Sequence, residues 1–192
     1  SLKNAMKQSC DTYFYEVARL LGVDRLNITA EKFGLGKKVL GDYFDNEKKG
    51  LFPNTKWKKN NLGKGWVLGE TLITGIGQGY TQTTPLQLCM MTAQIANGGY
   101  AIKPKIIVDS NPISYEDAKQ SMESGLLFDT ESEELLDKKL FKNQKNIKII
   151  QEAMFASTNE RFGTSYKSRI DDPKYQFAGK TGTAQVKRIS KR

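Results

Sequence analysis

The chain has 192 residues, 30 Lys and Arg against 21 Asp and Glu, a net charge of +9, and no histidine. The absence of imidazole excludes Ser-His-Asp and Cys-His nucleophilic systems, and it excludes zinc sites that use histidine ligands. Acid-base chemistry must therefore use Lys, Asp, Glu, Tyr or a hydroxyl group. The length and the 38% share of hydrophobic residues suit one folded domain.

The cysteines and lysines exclude further classes of protein. Cys10 and Cys89 are too few for a disulfide framework and lack metal-ligand spacing, so we expect two buried thiols. The lysines lie in scattered short pairs, which gives only weak support to a basic module that binds nucleic acid. No apolar run approaches the roughly 20 residues that a membrane-spanning helix needs.

The first segment is expected to be helical. Apolar residues recur every three or four positions from Leu2 to Leu21, which is the spacing of one buried helical face. The cluster Ser9-Cys10-Asp11-Thr12 interrupts this face, and its side chains compete for backbone hydrogen bonds. One long helix and two helices, the second capped by Asp11 or Thr12, are therefore both compatible with the pattern.

The middle of the chain contains one strong helix signal. Thr84 as N-cap, Pro85 at the first helical position and Gln87 form a capping box before an apolar run that Asn97-Gly98-Gly99 ends. The flanking segments are less regular. We expect a short helix over 28–33, an irregular exposed stretch over 34–65, and a strand or extended segment over 66–76.

The last part of the chain mixes weak strand signals with a charged stretch. Residues 109–146 are charged and poorly periodic, so we interpret them as a variable surface insertion with a helix near 132–141. We expect strands over 100–108 and 175–186, and an amphipathic helix over 147–157.

Two glycine patterns resemble phosphate-binding motifs but do not match them. A dinucleotide fingerprint would need a glycine three residues after Gly77, where Tyr80 stands. A P-loop ending at Gly179-Lys180-Thr181 would need a glycine at position 174, which is Lys174. The first pattern is better explained as a tight turn beside a functional cleft.

The segment Lys180-Thr181-Gly182-Thr183 gains meaning when it is combined with Ser9-Cys10-Asp11. A Lys-Thr-Gly tripeptide alone is more often an ordinary exposed strand. Together with Ser-x-Asp or Ser-x-Asn, however, it belongs to the signature set of penicillin-recognising serine enzymes. An acyl-transfer site without histidine needs a lysine base, a hydroxyl that relays the proton and a cation that binds the substrate carboxylate.

Five blocks in the chain resemble, in order, the transpeptidase domain of class B penicillin-binding proteins. Those blocks are Ser9 to Tyr15, Gly69-Glu70-Thr71, Gly75 to Tyr80, Thr84 to Gln87, and Phe177 to Gln185. Asp11 and the Gly-Ile-Gly-Gln-Gly block favour the elongation type, because division-type relatives usually carry Asn at the position of Asp11.

The resemblance assigns roles to the motif residues. It implies catalytic roles for Ser9, Asp11 and Lys180, and substrate binding by Thr181, Gly182 and Thr183. Ser9 would pass a proton between the nucleophile's lysine and the leaving amine, and the amide of Thr183 would form half of the oxyanion hole. We also expect Asp11 to pair with Lys180 and keep that lysine charged.

The resemblance also implies a fold and a cellular setting. The expected fold is a mixed α/β one of the serine β-lactamase type, with an antiparallel sheet flanked by helices and Lys180 on a strand of the cleft. The expected activity is peptidoglycan D,D-transpeptidation through an acyl-serine intermediate, with stem peptides and β-lactams as ligands and with neither cofactor, metal nor nucleic acid. The expected location is the bacterial inner membrane, facing the periplasm, beside a glycosyltransferase of the elongation machinery.

One element of the family signature is missing. No Ser-x-x-Lys occurs in the 192 residues, and in the family this motif lies upstream of the position of Ser9. We therefore expect residues 1–192 to be a partial transpeptidase domain, incomplete at both ends and inactive alone. Alternatives are a division-type enzyme, a non-catalytic β-lactam sensor and a basic binding module.

Overall fold

The computed structural model describes residues 1–41, 44–104 and 139–184. Within these residues the chain forms α-helices joined by loops, and short 3₁₀ helices at Tyr166–Ser168 and Pro173–Tyr175. The α-helices are α1 (Leu2–Lys7), α2 (Asp11–Leu21), α3 (Val23–Lys32), α4 (Thr55–Leu62), α5 (Leu68–Gly75), α6 (Pro85–Ala96) and α7 (Gln144–Asn159).

The chain divides into two units. We call residues 1–13 together with 148–192 the terminal unit, and residues 14–147 the central unit. The candidate catalytic residues at positions 9, 11 and 180 all belong to the terminal unit, which two distant parts of the sequence build.

In the terminal unit, the interruption expected near Ser9 separates two helices. Helix α1 ends at Lys7, and its last carbonyls are bonded by the next amides: Cys10 N–H donates to Ala5 O at 2.9 Å, and Ser9 N–H donates to Met6 O at 3.2 Å. These two bonds form a Schellman motif. Helix α2 begins at Asp11 itself, so Asp11 lies in its first turn and is not a cap before it.

The buried interior of the central unit is partly polar. Gln87 is fully buried and donates through Nε2 to the carbonyls of Lys37 at 2.7 Å and Lys49 at 2.8 Å. Lys58 is also buried, and its ammonium binds the carboxylate of Glu70. Because these polar side chains have partners inside the unit, their hydrogen bonds offset the cost of desolvation and hold loop and helix segments together.

The helix predictions hold where capping signals are local. Thr84 accepts from Gln87 N–H at 3.2 Å, and α6 follows as predicted. The strand predicted over 66–76 is wrong because α5 occupies Leu68–Gly75, packed against α3. The exposed stretch predicted over 34–65 contains α4, which Asn54 caps through Trp57 N–H at 2.7 Å.

The predicted strands and the insertion have mixed outcomes. In the part of the chain that the structure describes, β pairing consists of isolated bridges between Leu51 and Gln82 and between Tyr100 and Lys139. Residues 101–104 and 176–184 lack regular structure, while 105–108 and 185–186 lie outside the described residues. Most of the predicted insertion and its helix also lies outside them; residues 139–143 are not helical, and 144–146 begin α7.

Two further observations concern the thiols and the helices. Cys10 is half-buried and Cys89 is exposed, so the expectation of two buried thiols is wrong for Cys89. Across the described ranges, the helices fall short of the length and apolar character that crossing a bilayer requires.

Candidate active site

Ser9 stands at the end of α1 in a left-handed backbone conformation, with φ of +51°. It occupies the position of the Schellman motif where glycine is usual, because a Cβ in this conformation is sterically strained. The helix end therefore points a hydroxyl group, rather than a bare glycine, at the segment around Lys180.

Lys180 lies 171 residues further along the chain, and its ammonium donates to the Oγ of Ser9 at 2.7 Å. The same Nζ donates to Thr181 O at 3.0 Å and to Thr181 Oγ1 at 3.3 Å. The segment before Lys180 is attached to α7, because Gly179 N–H donates to Met154 O at 3.2 Å. The ammonium thus has three oxygen partners, which is its full donor capacity.

A cluster of hydroxyl groups extends from this contact. Thr164 Oγ1 lies 3.4 Å from Ser9 Oγ, 3.1 Å from Thr181 Oγ1 and 3.2 Å from Ser157 Oγ. Ser157 is fully buried, whereas Thr164 is exposed. Sequence reasoning missed both residues, since a single Thr in a loop and a single Ser in a helix match no motif.

Asp11 does not form the predicted ion pair with Lys180. Both side chains belong to the described part of the chain, and Asp11 acts on the ammonium only through its longer-range charge. Partial desolvation lowers the pKa of Lys180, and the carboxylate of Asp11 offsets this only in part. The lysine is therefore easier to deprotonate than a free one, while the charge of Asp11 favours the protonated form without a direct ion pair.

The residues after Lys180 face solvent. Thr181, Gly182 and Thr183 are all exposed. Among the described atoms, none lies within 4 Å of the place where a Cβ on Gly182 would stand. The packing of the described residues therefore does not require glycine at position 182, and the space beside it is open to a ligand.

Within the terminal unit, Glu160, just after α7, holds α1 against the end of α7. Its carboxylate accepts from Lys3 Nζ and from Lys7 Nζ, each at 2.8 Å. These hydrogen bonds and charges lower the pKa of Glu160 despite some desolvation. Because α1 carries Ser9 at its end, the double ion pair helps to place the hydroxyl that Lys180 contacts.

The site has the chemistry of proton transfer and anion binding. An ammonium of lowered pKa, a serine hydroxyl and threonine hydroxyls lie within hydrogen-bond distance of one another, and they are partly open to solvent. Within the described ranges, no group of three or more Cys, Asp or Glu is arranged to hold a metal ion. The groups present suit acyl transfer to or from a ligand that carries a carboxylate.

Comparisons with known proteins agree with this chemistry. A family model described as the penicillin-binding protein transpeptidase domain matches residues 1–192. The peptidoglycan D,D-transpeptidase MrdA of Acinetobacter baumannii is 34% identical over 190 residues, which cover 99% of this chain and 26% of that protein. MrdA of Escherichia coli K12 is 30% identical over 198 residues, covering 97% of this chain and 27% of the relative.

Solved structures show the same likeness in three dimensions. Pseudomonas aeruginosa PBP2, crystallised in complex with WCK 5153, has a TM-score of 0.76 and 37% identity, and the match covers 97% of this chain and 38% of that one. Helicobacter pylori PBP2, in a complex with MreC, has a TM-score of 0.75 and 30% identity over 97% of this chain and 31% of that one. The chain shares their transpeptidase fold and spans about a quarter of the length of the curated relatives that it matches.

Proposed function

This chain belongs to the penicillin-binding protein transpeptidase family, and from that premise we propose that the protein that carries it is a peptidoglycan D,D-transpeptidase of the elongation type. The observation that carries the proposal is the 2.7 Å contact between Lys180 Nζ and Ser9 Oγ. The names of the relatives, D,D-transpeptidase MrdA and PBP2, support the reaction and the elongation type.

In the proposed reaction, a serine supplied by another part of the protein attacks a carbonyl of the donor stem peptide. A tetrahedral oxyanion forms, and its collapse releases the terminal residue as an amine and leaves an acyl-serine. The amine of a second stem peptide then attacks the ester, which forms the cross-link and frees the serine. A β-lactam reacts by the same first step, and its ring nitrogen takes the place of the leaving amine.

Each motif residue of this chain has a role in that scheme. Ser9 Oγ accepts a proton from the nucleophile's lysine and gives its own proton to the leaving nitrogen, so the hydroxyl is restored. The ammonium of Lys180 supplies positive potential for the substrate carboxylate, which the hydroxyls of Thr181 and Thr183 also bind. The amide of Thr183 donates to the oxyanion.

Asp11 and Gly182 shape the place of the substrate. We propose that Asp11, exposed in the first turn of α2, faces the backbone of the stem peptide. The open space beside Gly182 supports an approach of the peptide along this segment. We further propose that residues 180–184 belong to a strand of an antiparallel sheet in the complete domain, with the stem peptide or β-lactam along its edge.

The proposal extends to the rest of the protein. The acylated serine and its lysine would come from a Ser-x-x-Lys segment outside residues 1–192, so this chain alone would be inactive. The complex of the Helicobacter pylori relative with MreC supports a place in a multiprotein elongation machinery, with a glycosyltransferase as a further partner. That setting would put the domain on the periplasmic side of the bacterial inner membrane, with residues around 109–146 as a variable surface insertion.

Labelling with fluorescent penicillin tests the proposed function. The protein that carries this chain, including its Ser-x-x-Lys segment, should form a covalent adduct that excess unlabelled penicillin prevents. Lys180→Ala should abolish labelling, whereas Lys174→Ala, which changes another exposed lysine of the same unit, should not. Residues 1–192 alone should not be labelled. A wild-type protein that forms no adduct, or a Lys180→Ala protein that is acylated normally, would contradict the proposal.

A further inference from the structure

Thr164 connects the Ser9–Lys180 contact to the buried part of the terminal unit. Its hydroxyl lies within hydrogen-bond distance of three others, those of Ser9, Thr181 and Ser157. Of these, Ser157 is fully buried in α7. A hydroxyl that contacts a buried residue on one side and two site residues on the other can transmit the rigidity of the interior to the site.

The directions of the hydrogen bonds give Thr164 a specific task. The ammonium of Lys180 can only donate, so Ser9 Oγ accepts from it and must direct its own proton elsewhere. Two hydroxyl oxygens lie near that proton, Thr181 Oγ1 at 3.3 Å and Thr164 Oγ1 at 3.4 Å. Because Thr181 Oγ1 already accepts from Lys180 Nζ, Thr164 Oγ1 is the acceptor that the ammonium leaves available. The distance of 3.4 Å is long, as catalytic hydrogen bonds commonly are before a substrate binds. With its proton toward Thr164, Ser9 keeps lone pairs for Lys180 and for an incoming proton.

The backbone around Thr164 is held in place by bonds on both sides. Thr164 N–H donates to Lys7 O at 3.0 Å, and Ser165 N–H donates to Ser157 O at 3.0 Å. A Cβ on Gly163 would overlap the carbonyl of Ser157, so the loop passes α7 at a distance that only glycine allows. The loop therefore fixes Thr164 relative to both the end of α1 and the end of α7.

We propose that Thr164 is a positioning residue for the transpeptidase reaction: its hydroxyl orients the Ser9 hydroxyl toward Lys180 for proton relay. This inference rests on the proposed function, because it assigns Thr164 a task in that reaction. Thr164 acts through Ser9 and need not touch the substrate.

The test measures the rate of acylation by fluorescent penicillin in the full protein that carries this chain. Thr164→Val keeps the side-chain shape but removes the hydroxyl, and should slow acylation by about 10- to 100-fold. Thr164→Ser restores the hydroxyl and should stay within about threefold of the wild type. Thr158→Val is the matched control, since Thr158 is fully buried nearby and its Oγ1 has no hydrogen-bond partner in the described structure.

A double-mutant cycle with Ser9→Ala separates positioning from general damage. If Thr164 acts through Ser9, then Thr164→Val should add little to the loss already caused by Ser9→Ala. Three results would overturn the inference: additive losses in the double mutant, an unchanged rate in Thr164→Val, or an equal loss in Thr158→Val. As long as the wild type is acylated, none of them affects the proposed function. Absence of wild-type acylation would instead overturn the proposed function, and the inference with it.

Discussion

Ser9 combines a strained backbone with a proposed catalytic hydroxyl. Its φ of +51° places a Cβ where the Schellman motif usually has glycine. Ser9→Gly should therefore relieve strain that Ser9→Ala retains, and should be more stable than Ser9→Ala by about 1 kcal/mol. Denaturant unfolding of the two variants measures this difference. Both variants should lose most acylation, because both lack the hydroxyl. A Ser9→Gly protein that is less stable than Ser9→Ala would contradict the strain argument.

Asp11 adjusts the protonation of Lys180 from a distance. Its charge raises the pKa of Lys180 against the larger effect of desolvation, so Asp11→Asn should lower that pKa further. The ammonium would then be lost at lower pH, and the alkaline limb of the acylation rate should move to lower pH. Measuring the rate between pH 6 and 10 tests the shift, with Asp171→Asn as control. A limb that stays in place or moves to higher pH would refute this role.

A side chain added at Gly182 should affect acylation but not stability. No described atom lies within 4 Å of a Cβ built at this position, so Gly182→Ala should leave the thermal unfolding temperature unchanged within about 2 °C. The added methyl group would occupy the space proposed for the substrate, and acylation should fall at least about tenfold. Calorimetry and labelling of one preparation measure both effects. Normal acylation would show that the substrate does not approach Gly182.

At the scale of elements, Glu160 holds α1 to the end of α7 through Lys3 and Lys7. The Glu160 carboxylate and the Lys3 side chain are partly open to solvent, although the Lys7 side chain is mostly covered. Because solvent screens partly open pairs, Glu160→Gln should lower the unfolding temperature by only about 2 °C at pH 7. Since the pKa of Glu160 is lowered in the folded state, the difference should be present above about pH 4 and vanish as the pH falls below it.

The control is Glu152→Gln, an exposed acid on α7 that forms no ion pair within the described residues and acts on Lys3 only weakly, through its longer-range charge. A stability difference between wild type and Glu160→Gln that persists unchanged at pH 2 would show that the carboxylate charge is not the cause.

An element can be predicted from the sequence when the residues that stabilise it lie close to it along the chain. Helix α6 could be predicted because Thr84 and Gln87 satisfy the first turn within four residues. Helix α5 could not, since its β-branched residues favour a strand locally. Its helical form depends on packing against another helix, α2. The two helices approach so closely that a Cβ on Gly75 would lie 2.5 Å from the Cβ of Ala18. Helix α4 could not be predicted from apolar periodicity, because the residue that it buries is a lysine, Lys58.

For the molecule as a whole, stability depends on that buried lysine as well as on the apolar core. Burial acts to raise the pKa of Glu70, but hydrogen bonds from Lys58, Val67 N–H and Tyr80 outweigh it and lower that pKa. Lys58→Met should leave this carboxylate without its cation and destabilise the protein by about 2–3 kcal/mol at pH 7. Denaturant unfolding measures the loss.

The neighbouring residue provides the comparison for this change. Lys59→Met, on the exposed face of the same helix, should alter stability by less than about 0.5 kcal/mol. Adding Glu70→Gln to Lys58→Met should recover part of the lost stability, because the unpaired charge is then removed. Equal effects of Lys58→Met and Lys59→Met would mean that the ion pair contributes little.

The candidate site divides into a part that motifs reveal and a part that they do not. Two short motifs brought Ser9 and Lys180 together in the prediction, and the structure has them in contact. Thr164 and Ser157 could not be found this way, because their position depends on how a loop passes α7. The missing ion pair between Asp11 and Lys180 likewise depends on distances that the order of residues does not define.

The contact between Ser9 and Lys180 also sets an order of events during synthesis. Because the two partners are 171 positions apart, the ribosome needs about 10 to 30 s after adding Ser9 before it adds Lys180. Until α7 is added, α1 has neither α7 nor the Lys180 segment to pack against, and even after that the Ser9 hydroxyl lacks its lysine partner. Premature termination between positions 9 and 180 would leave a polypeptide with Ser9 but without the ammonium that its hydroxyl contacts.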